Sequence, residues 1–361
     1  MEGTKKAILV NVTKEKDAEK PLSELALLAE TADYEVVGIM TQHKEKPDKA
    51  YYVGTGKLQE LKDAVNALEA DTVIFDNDVT GSQFNNLEKF LGAEVIDRAT
   101  LILEIFARHA TTAEGKLQVE LARKKHFLPR VLGQGAVLSR QGGGGAGGGG
   151  ARRGAGEQQL ELDKRTIRAE IRDLEERIEK LTEERRLRRK KRQKGNIKSV
   201  GIIGYTNAGK STLMNCLTKA GVLEENKLFA TLDTTVRKLW LAPNKEFIIT
   251  DTVGFISRLP HEFIEAFKST LEETVYSDLI LHVVNSESEN AEEEYNVVID
   301  VLKSIGAEDV PILTVINKID SADSLSFRPD CDYVEISAKT GEGVEELKKR
   351  ISIMLFGEET E

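Results

Sequence analysis

Between positions 200 and 219 an apolar run, Val200–Ile203, leads straight into GYTNAGKS (Gly204–Ser211) and then a helical stretch, Thr212–Lys219. Few short patterns constrain a fold as tightly. Strand, glycine loop and helix in that order need a buried strand of a mostly parallel sheet, with the loop turning at its carboxyl end. Backbone N–H groups of Tyr205, Thr206, Asn207, Ala208 and Gly209 then converge with the helix N-terminus at Ser211 and Thr212, where the helix dipole favours an anion. A phosphate chain is the expected occupant. Lys210 would reach its β- and γ-phosphates, and the Ser211 hydroxyl would ligate Mg2+.

Three further motifs follow strand-like runs in a workable order. Asp251, Thr252, Val253 and Gly254 come after EFIIT (Glu246–Thr250), which puts the Asp251 carboxylate at a strand end. Gly254 has no Cβ, so its N–H can approach the terminal phosphate. Asn317, Lys318 and Asp320 follow PILTVI (Pro311–Ile316), and Ser337, Ala338 and Lys339 follow the strand Tyr333–Ile336. A buried Asp320 carboxylate would accept the N1–H and N2–H of guanine, a donor pair that adenine lacks, so ATP should be rejected. Together these motifs read as a GTP- and GDP-binding enzyme that hydrolyses GTP, with catalytic roles expected for Lys210, Gly254 and Asn207. A small-molecule phosphotransferase does not need the guanine-reading Asp320.

The chain has 361 residues, enough for two or three domains with their own cores. No stretch approaches the length of an apolar membrane span, and MEGTKKAILVNV lacks the layout of a signal peptide. The two cysteines, Cys216 and Cys331, are expected as small buried apolar groups in a reducing cytoplasm. The net charge of −10 is unevenly spread. Arg152 to Lys198 holds 17 Lys/Arg and 10 Asp/Glu, a local +7, which leaves −17 for the rest. Eight of the ten residues in Arg185–Lys194 are cationic, more than a helix end needs, so this run is a candidate for RNA contact.

Residues 1–112 alternate strand and helix and read as a small α/β domain with a parallel sheet. Its strands are expected at Ala7–Val12, Tyr34–Thr41, Asp71–Phe75 and Glu94–Ile96, and its helices at Pro21–Glu30, Lys57–Leu68 and Gln83–Phe90. Residues 113–196 read as an antiparallel helical hairpin. One helix carries Leu117, Leu121 and Leu128 and breaks at Pro129. The other carries Leu160, Ile167, Ile171, Leu174, Ile178 and Leu181, spaced 7, 4, 3, 4 and 3 as in a heptad seam. A glycine-rich loop, 134–156, is expected at the tip. Residues 197–361 form the nucleotide domain, a mostly parallel sheet with helices on both faces.

With these pieces placed, the chain resembles the HflX family of GTPases. The likeness is carried by YYVGTGKLQEL (Tyr51–Leu61), VIFDNDVTGSQFNNLE (Val73–Glu88) and VIDRATLILEIFARHATTAEGKLQVELA (Val95–Ala122). GEQQLELDKR (Gly156–Arg165), FATLDTTVR (Phe229–Arg237) and DTVGFISRLPHEFIEAFKSTLEE (Asp251–Glu273) extend it. The resemblance implies binding to the large ribosomal subunit and its rRNA, and the splitting or rescue of stalled ribosomes or help in their assembly; a cytoplasmic monomer is expected. It also implies that Phe229, Ala230, Thr231, Leu232 and Asp233 form switch one, with Thr231 on Mg2+ and Thr235 as the alternative. Two departures stand out: Thr234 replaces the usual proline, and Gln141–Gly150 is richer in glycine.

Phe255 follows Gly254 where Ras-like enzymes place a water-orienting glutamine, so slow intrinsic hydrolysis stimulated by a partner is expected. By likeness to cation-dependent GTPases, Asn207 is a candidate to help hold K+; the alternative is a loop residue that tolerates a turn. Gly54–Lys57 reads as a strand-to-helix turn, with a second nucleotide site as its alternative. Asp76, Asn77 and Asp78 read as a turn or cap before a metal site. A different class of protein, an RNA-binding or remodelling factor with a regulatory GTPase domain, remains the competing interpretation.

Overall fold

The computed structural model describes residues 4–14, 19–141, 150–194, 197–218, 229, 235–242, 245–252, 254–258, 260–321 and 325–357. Packing divides the chain into two compact units, Met1–Arg108 with Leu117–Arg177, and His109–Lys116 with Ile178–Glu361.

The first unit opens with β1 (Lys5–Thr13), α1 (Glu19–Thr31), β2 (Tyr34–His43), α2 (Thr55–Leu68), β3 (Thr72–Phe75), α3 (Gly81–Leu91), β4 (Glu94–Asp97) and α4 (Arg98–His109). The strands form one parallel sheet in the order β2-β1-β3-β4. Ile8, Val10 and Val12 pack with Leu58 and Leu61 of α2 and Phe84 and Leu87 of α3 in one apolar cluster. Gly54 precedes α2 and donates its N–H to Gln42 Oε1 at 2.9 Å, so this stretch is a strand-to-helix turn.

Two buried ion clusters close the carboxyl edge of this sheet. Arg98 lies between Asp76, at 3.0 Å, and Glu24. Burial disfavours its charge, but Glu24 and Asp76 outweigh that and raise its pKa. A carboxylate as deep as Asp76 needs a counter-charge, and Arg98 supplies it. Asn77 pairs with both backbone groups of Val12. Among the described residues no three or more His, Cys, Asp or Glu side chains gather where they could hold a metal ion. Asp97 meets Arg130, His126 and Thr100. Burial would raise its pKa; the His126 hydrogen bond and the Arg130 charge override that and hold it at about 2.

The expected break at Pro129 does not occur. A single helix, α5, runs Ala113–Gln141 with Pro129 inside it. An interior proline costs about 3 kcal/mol, and the contacts of the next residue offset this. The Arg130 guanidinium pairs with Asp97 and stacks 4.1 Å from the Phe84 ring centroid and 4.9 Å from that of Phe127. Gly81 makes room, since a Cβ there would lie 2.5 Å from the Arg130 carbonyl oxygen. The expected loop at 134–156 is also too long. Positions 134–141 hold one glycine among helix formers and stay in α5, and α6 (Gly150–Lys194) begins inside the glycine stretch. Residues 142–149 lie outside the described residues.

The α5 and α6 helices pair through Glu114–Arg185, Lys124–Glu170 and Lys125–Glu175, an antiparallel register. Along the α6 seam Leu174 is buried and Ile167, Ile171, Ile178 and Leu181 are half-buried. Leu160 and most of the basic run carry side chains outside the described residues; Arg185, its first member, is bound to Glu114 at 2.6 Å.

The second unit contains β5 (Lys198–Gly204), α7 (Lys210–Thr218), β6 (Thr235–Ala242), β7 (Lys245–Asp251), α8 (His261–Val275), β8 (Leu279–Asn285), α9 (Ala291–Ser304), β9 (Ile312–Asn317), β10 (Tyr333–Glu335) and α10 (Val344–Phe356). Its sheet order is β10-β9-β8-β5-β7-β6, parallel except for the edge strand β6. One apolar cluster joins Val200, Ile202, Ile249 and Leu281 to Leu213 of α7 and Leu347 of α10. A second joins Ile203 and Ile280 to Leu271 of α8 and Val298 of α9. Trp240 on β6 is 63% exposed. The cysteines depart from expectation: Cys216 is half-buried, while Cys331 is exposed, 3.3 Å from Thr314 Oγ1. A thiol that finds a hydroxyl partner need not enter the core. No helix among the described residues is long and apolar enough to cross a membrane.

Candidate functional site

β5, β7 and β9 end at one edge of the second sheet, and the singled-out motifs stand on the turns that follow them. Gly204 and Gly209 are required by close approaches. A Cβ on Gly204 would lie 2.3 Å from the Val283 carbonyl oxygen, and one on Gly209 2.3 Å from Asn317 Nδ2. Asn207 adopts a left-handed φ of 61°, a conformation asparagine tolerates better than most residues. Ala208 is fully buried in the core beneath the loop.

Lys210 opens α7 and is buried, with Nζ donating to the Tyr205 carbonyl at 2.8 Å. Burial lowers its pKa to about 8, against a smaller opposing pull from Asp251. Ser211 Oγ donates to Asp251 Oδ2 at 3.0 Å, so a hydroxyl and a carboxylate share one strand end. Two oxygen donors of this kind suit a hard divalent cation such as Mg2+. A Cβ on Gly254 would lie 2.9 Å from Lys210 Nζ and 3.0 Å from Thr206 Cγ2, so a side chain there would press on the lysine ammonium and on Thr206. Thr252 turns inward, its hydroxyl donating to the Ile202 carbonyl at 2.8 Å.

Asn317 links three loops. It is buried, its Nδ2 donates to the Ala208 carbonyl at 2.9 Å, and its Oδ1 accepts the Ala338 N–H at 2.9 Å. Its amide thus ties the phosphate loop to the turn after β10. Ser337 is buried and its Oγ accepts the Thr340 N–H. Lys318 has a left-handed φ of 69° and pairs with Glu287 at 3.2 Å. Lys339 is exposed. Asp320 is exposed too, not buried as expected, because it stands on the turn beyond β9, where water solvates the charge. The Ser337 hydroxyl lowers its pKa, which keeps it an acceptor.

Phe255 is buried in the cluster with Ile203, Leu271 and Ile280, and its backbone continues the sheet beside the phosphate loop. Thr206 N donates to its carbonyl at 2.7 Å, and its own N–H donates to the Gly204 carbonyl at 3.1 Å. Phe229 is buried, with a φ of 58°. Ala230, Thr231, Leu232, Asp233, Thr234 and Val253 lie outside the described residues; Thr235 begins β6. Reasoning from the motifs missed Glu287, whose carboxylate is aligned with Lys318 only by the fold. It also missed His282, buried on β8 and stacked on Tyr295, whose pKa burial lowers to about 3. A neutral core histidine has no local signature.

Comparison with known proteins came out consistently along the chain. Residues 19–107 match the family described as GTP-binding GTPase N-terminal, and residues 109–192 its Middle Region. Residues 199–318 match the family described as 50S ribosome-binding GTPase. A GTPase HflX from Caldanaerobacter subterraneus subsp. tengcongensis is 49% identical over 353 residues, 98% of this chain and 81% of that one. The GTPase HflX of Escherichia coli is 41% identical over 360 residues, 98% of this chain and 83% of its own. Among solved structures, a GTP-binding protein from the archaeon Sulfolobus solfataricus in complex with GDP aligns with a TM-score of 0.51 and 29% identity. That alignment covers 98% of this chain and 99% of that one.

Proposed function

The chain belongs to the HflX family of GTPases, and from that premise we propose that its GTP cycle governs binding to the large ribosomal subunit. It binds GTP and hydrolyses it. The outcome we assign to the cycle is the splitting or rescue of stalled ribosomes, or help in their assembly, by a cytoplasmic monomer that contacts rRNA. Support comes chiefly from one observation: Lys210, Ser211, Asp251, Gly254 and Asn317 meet at a single sheet edge, in the order a nucleoside triphosphate would require.

In this reading Gly204 to Thr212 cradle the phosphates, Lys210 neutralises them, and Asp320 reads guanine with Ser337, Ala338 and Lys339 against the base. Ser211 is assigned to Mg2+ together with Thr231 of switch one. When bound, that ion would supply positive charge against the negative charge of the phosphates. Asn207 is assigned a share in holding K+. Phe255 is committed to the core, so no side chain directly after Gly254 can orient water. Hydrolysis is then slow until a partner completes the site.

GTP turnover with and without purified large ribosomal subunits, across a salt series, tests the proposal. Strong stimulation that fades steeply with salt is expected, since Arg152–Lys198 carries a surplus of +7. Turnover unmoved by subunits at every salt concentration would sink it. Equal rates in K+ and Na+ would remove the role of Asn207.

A further inference from the structure

We propose that Tyr205 is a positioning residue for GTP hydrolysis: its phenol holds the segment after Gly254 against the phosphate loop. The proposal rests on the hydrolytic reading above. Tyr205 occupies the first variable position of the loop, where only backbone is needed to bind phosphate. Its side chain nevertheless spans to the segment after Gly254. The Ser257 N–H donates to the Tyr205 hydroxyl at 2.6 Å, and the ring packs against the cluster of Ile203, Phe255, Leu271 and Ile280.

The main chain of the same residue acts on both sides of the site. It bridges to Phe255, and its carbonyl accepts from Lys210 Nζ at 2.8 Å. Phe255 is already tied to the loop through its N–H and its carbonyl. The phenol adds a third tie two residues on. That location matters because Arg258, the next residue, has a left-handed φ of 53°. A non-glycine residue in that region persists only where its surroundings hold it. Removing the Ser257 bond would let the turn relax, and Gly254 lies four residues back on the same short segment. Its N–H would then no longer be aimed at the terminal phosphate. GDP has no terminal phosphate and should be indifferent to this.

The test is Tyr205→Phe in the full chain, which keeps the ring in its cluster and deletes only the hydroxyl. Single-turnover GTP hydrolysis should slow about tenfold, the effect of leaving one partly buried N–H unpaired in the reactive geometry. Affinity for a non-hydrolysable GTP analogue should fall severalfold while GDP affinity stays within twofold of wild type. A rate within twofold of wild type would overturn the proposal, and so would equal losses for GDP and the analogue, which mark general damage to the loop. If turnover of the variant is too slow to time, the ratio of the two affinities still decides. Wild-type protein that hydrolyses no GTP would sink the hydrolytic reading instead, so the two failures are distinct.

Discussion

Arg98 in the first unit and Lys210 in the second are both buried cations at the carboxyl edge of a parallel sheet, and their surroundings push them in opposite directions. Arg98 faces two carboxylates, Asp76 and Glu24, and its pKa rises. Lys210 has a backbone carbonyl at hydrogen-bond distance and only a smaller pull from Asp251, and burial lowers its pKa to about 8. A cation whose charge is matched inside the fold is a fastening. One left under-compensated is suited to an anion from outside. The same edge of the same kind of sheet therefore serves stability in one unit and ligand binding in the other.

The sharpest way to break this contrast is Arg98→Met, which strips the buried Asp76 of its arginine and should destabilise the first unit by about 3–5 kcal/mol. Thermal unfolding reads that loss, and GTP affinity should stay within twofold; a parallel fall in affinity would show that the two edges are not separable. Next in size, Asp320→Asn should weaken GTP binding about 100-fold and narrow the margin over ATP, because two donors of guanine lose a charged acceptor. Calorimetry that finds GTP affinity unchanged would remove Asp320 from base recognition.

Acid sharpens the first half. The Asp97 pKa is depressed from 3.8 to about 2, so its contribution is fully present above about pH 4 and lost as pH falls through about 2. That linkage is about 2 kcal/mol. The gap in urea stability between wild type and Asp97→Asn should shrink over that window; a constant gap would contradict the assignment. Mild alkali sharpens the second half. Lys210 is charged in both states at pH 7, and its lowered pKa means that the folded protein loses the proton first. GTP affinity should drop about fourfold between pH 7 and 8.5 at fixed ionic strength, since only the ammonium binds phosphate. A flat profile would mean that the lysine is not desolvated.

Much of the second unit is legible from residues alone, because VGII, EFIIT and ILTVI are largely apolar runs that end at a motif, and each lies in a strand that ends at the site. The edge strand β6 is less legible. Val236 and Trp240 point outward while Leu239 points in, so apolar residues mark both faces. In the first unit the parallel sheet follows from alternation, but its ion clusters do not. Arg98 finds Asp76 and Glu24 from 22 and 74 positions away, a distance no local pattern reports. Pro129 fails as a helix stop for the same reason: the Arg130 contacts with Asp97 and Phe84 come from other elements. The exposure of Asp320 likewise depends on where β9 ends relative to the surface.

Trp240 is the chain's single tryptophan, and it stands in water on the strand that opens directly after the segment assigned to switch one. Its indole emission consequently has one source. Any rearrangement that shields or tilts that ring as guanine nucleotides exchange would register as a spectral change, with no dye attached, giving the protein a native optical gauge of its own cycle.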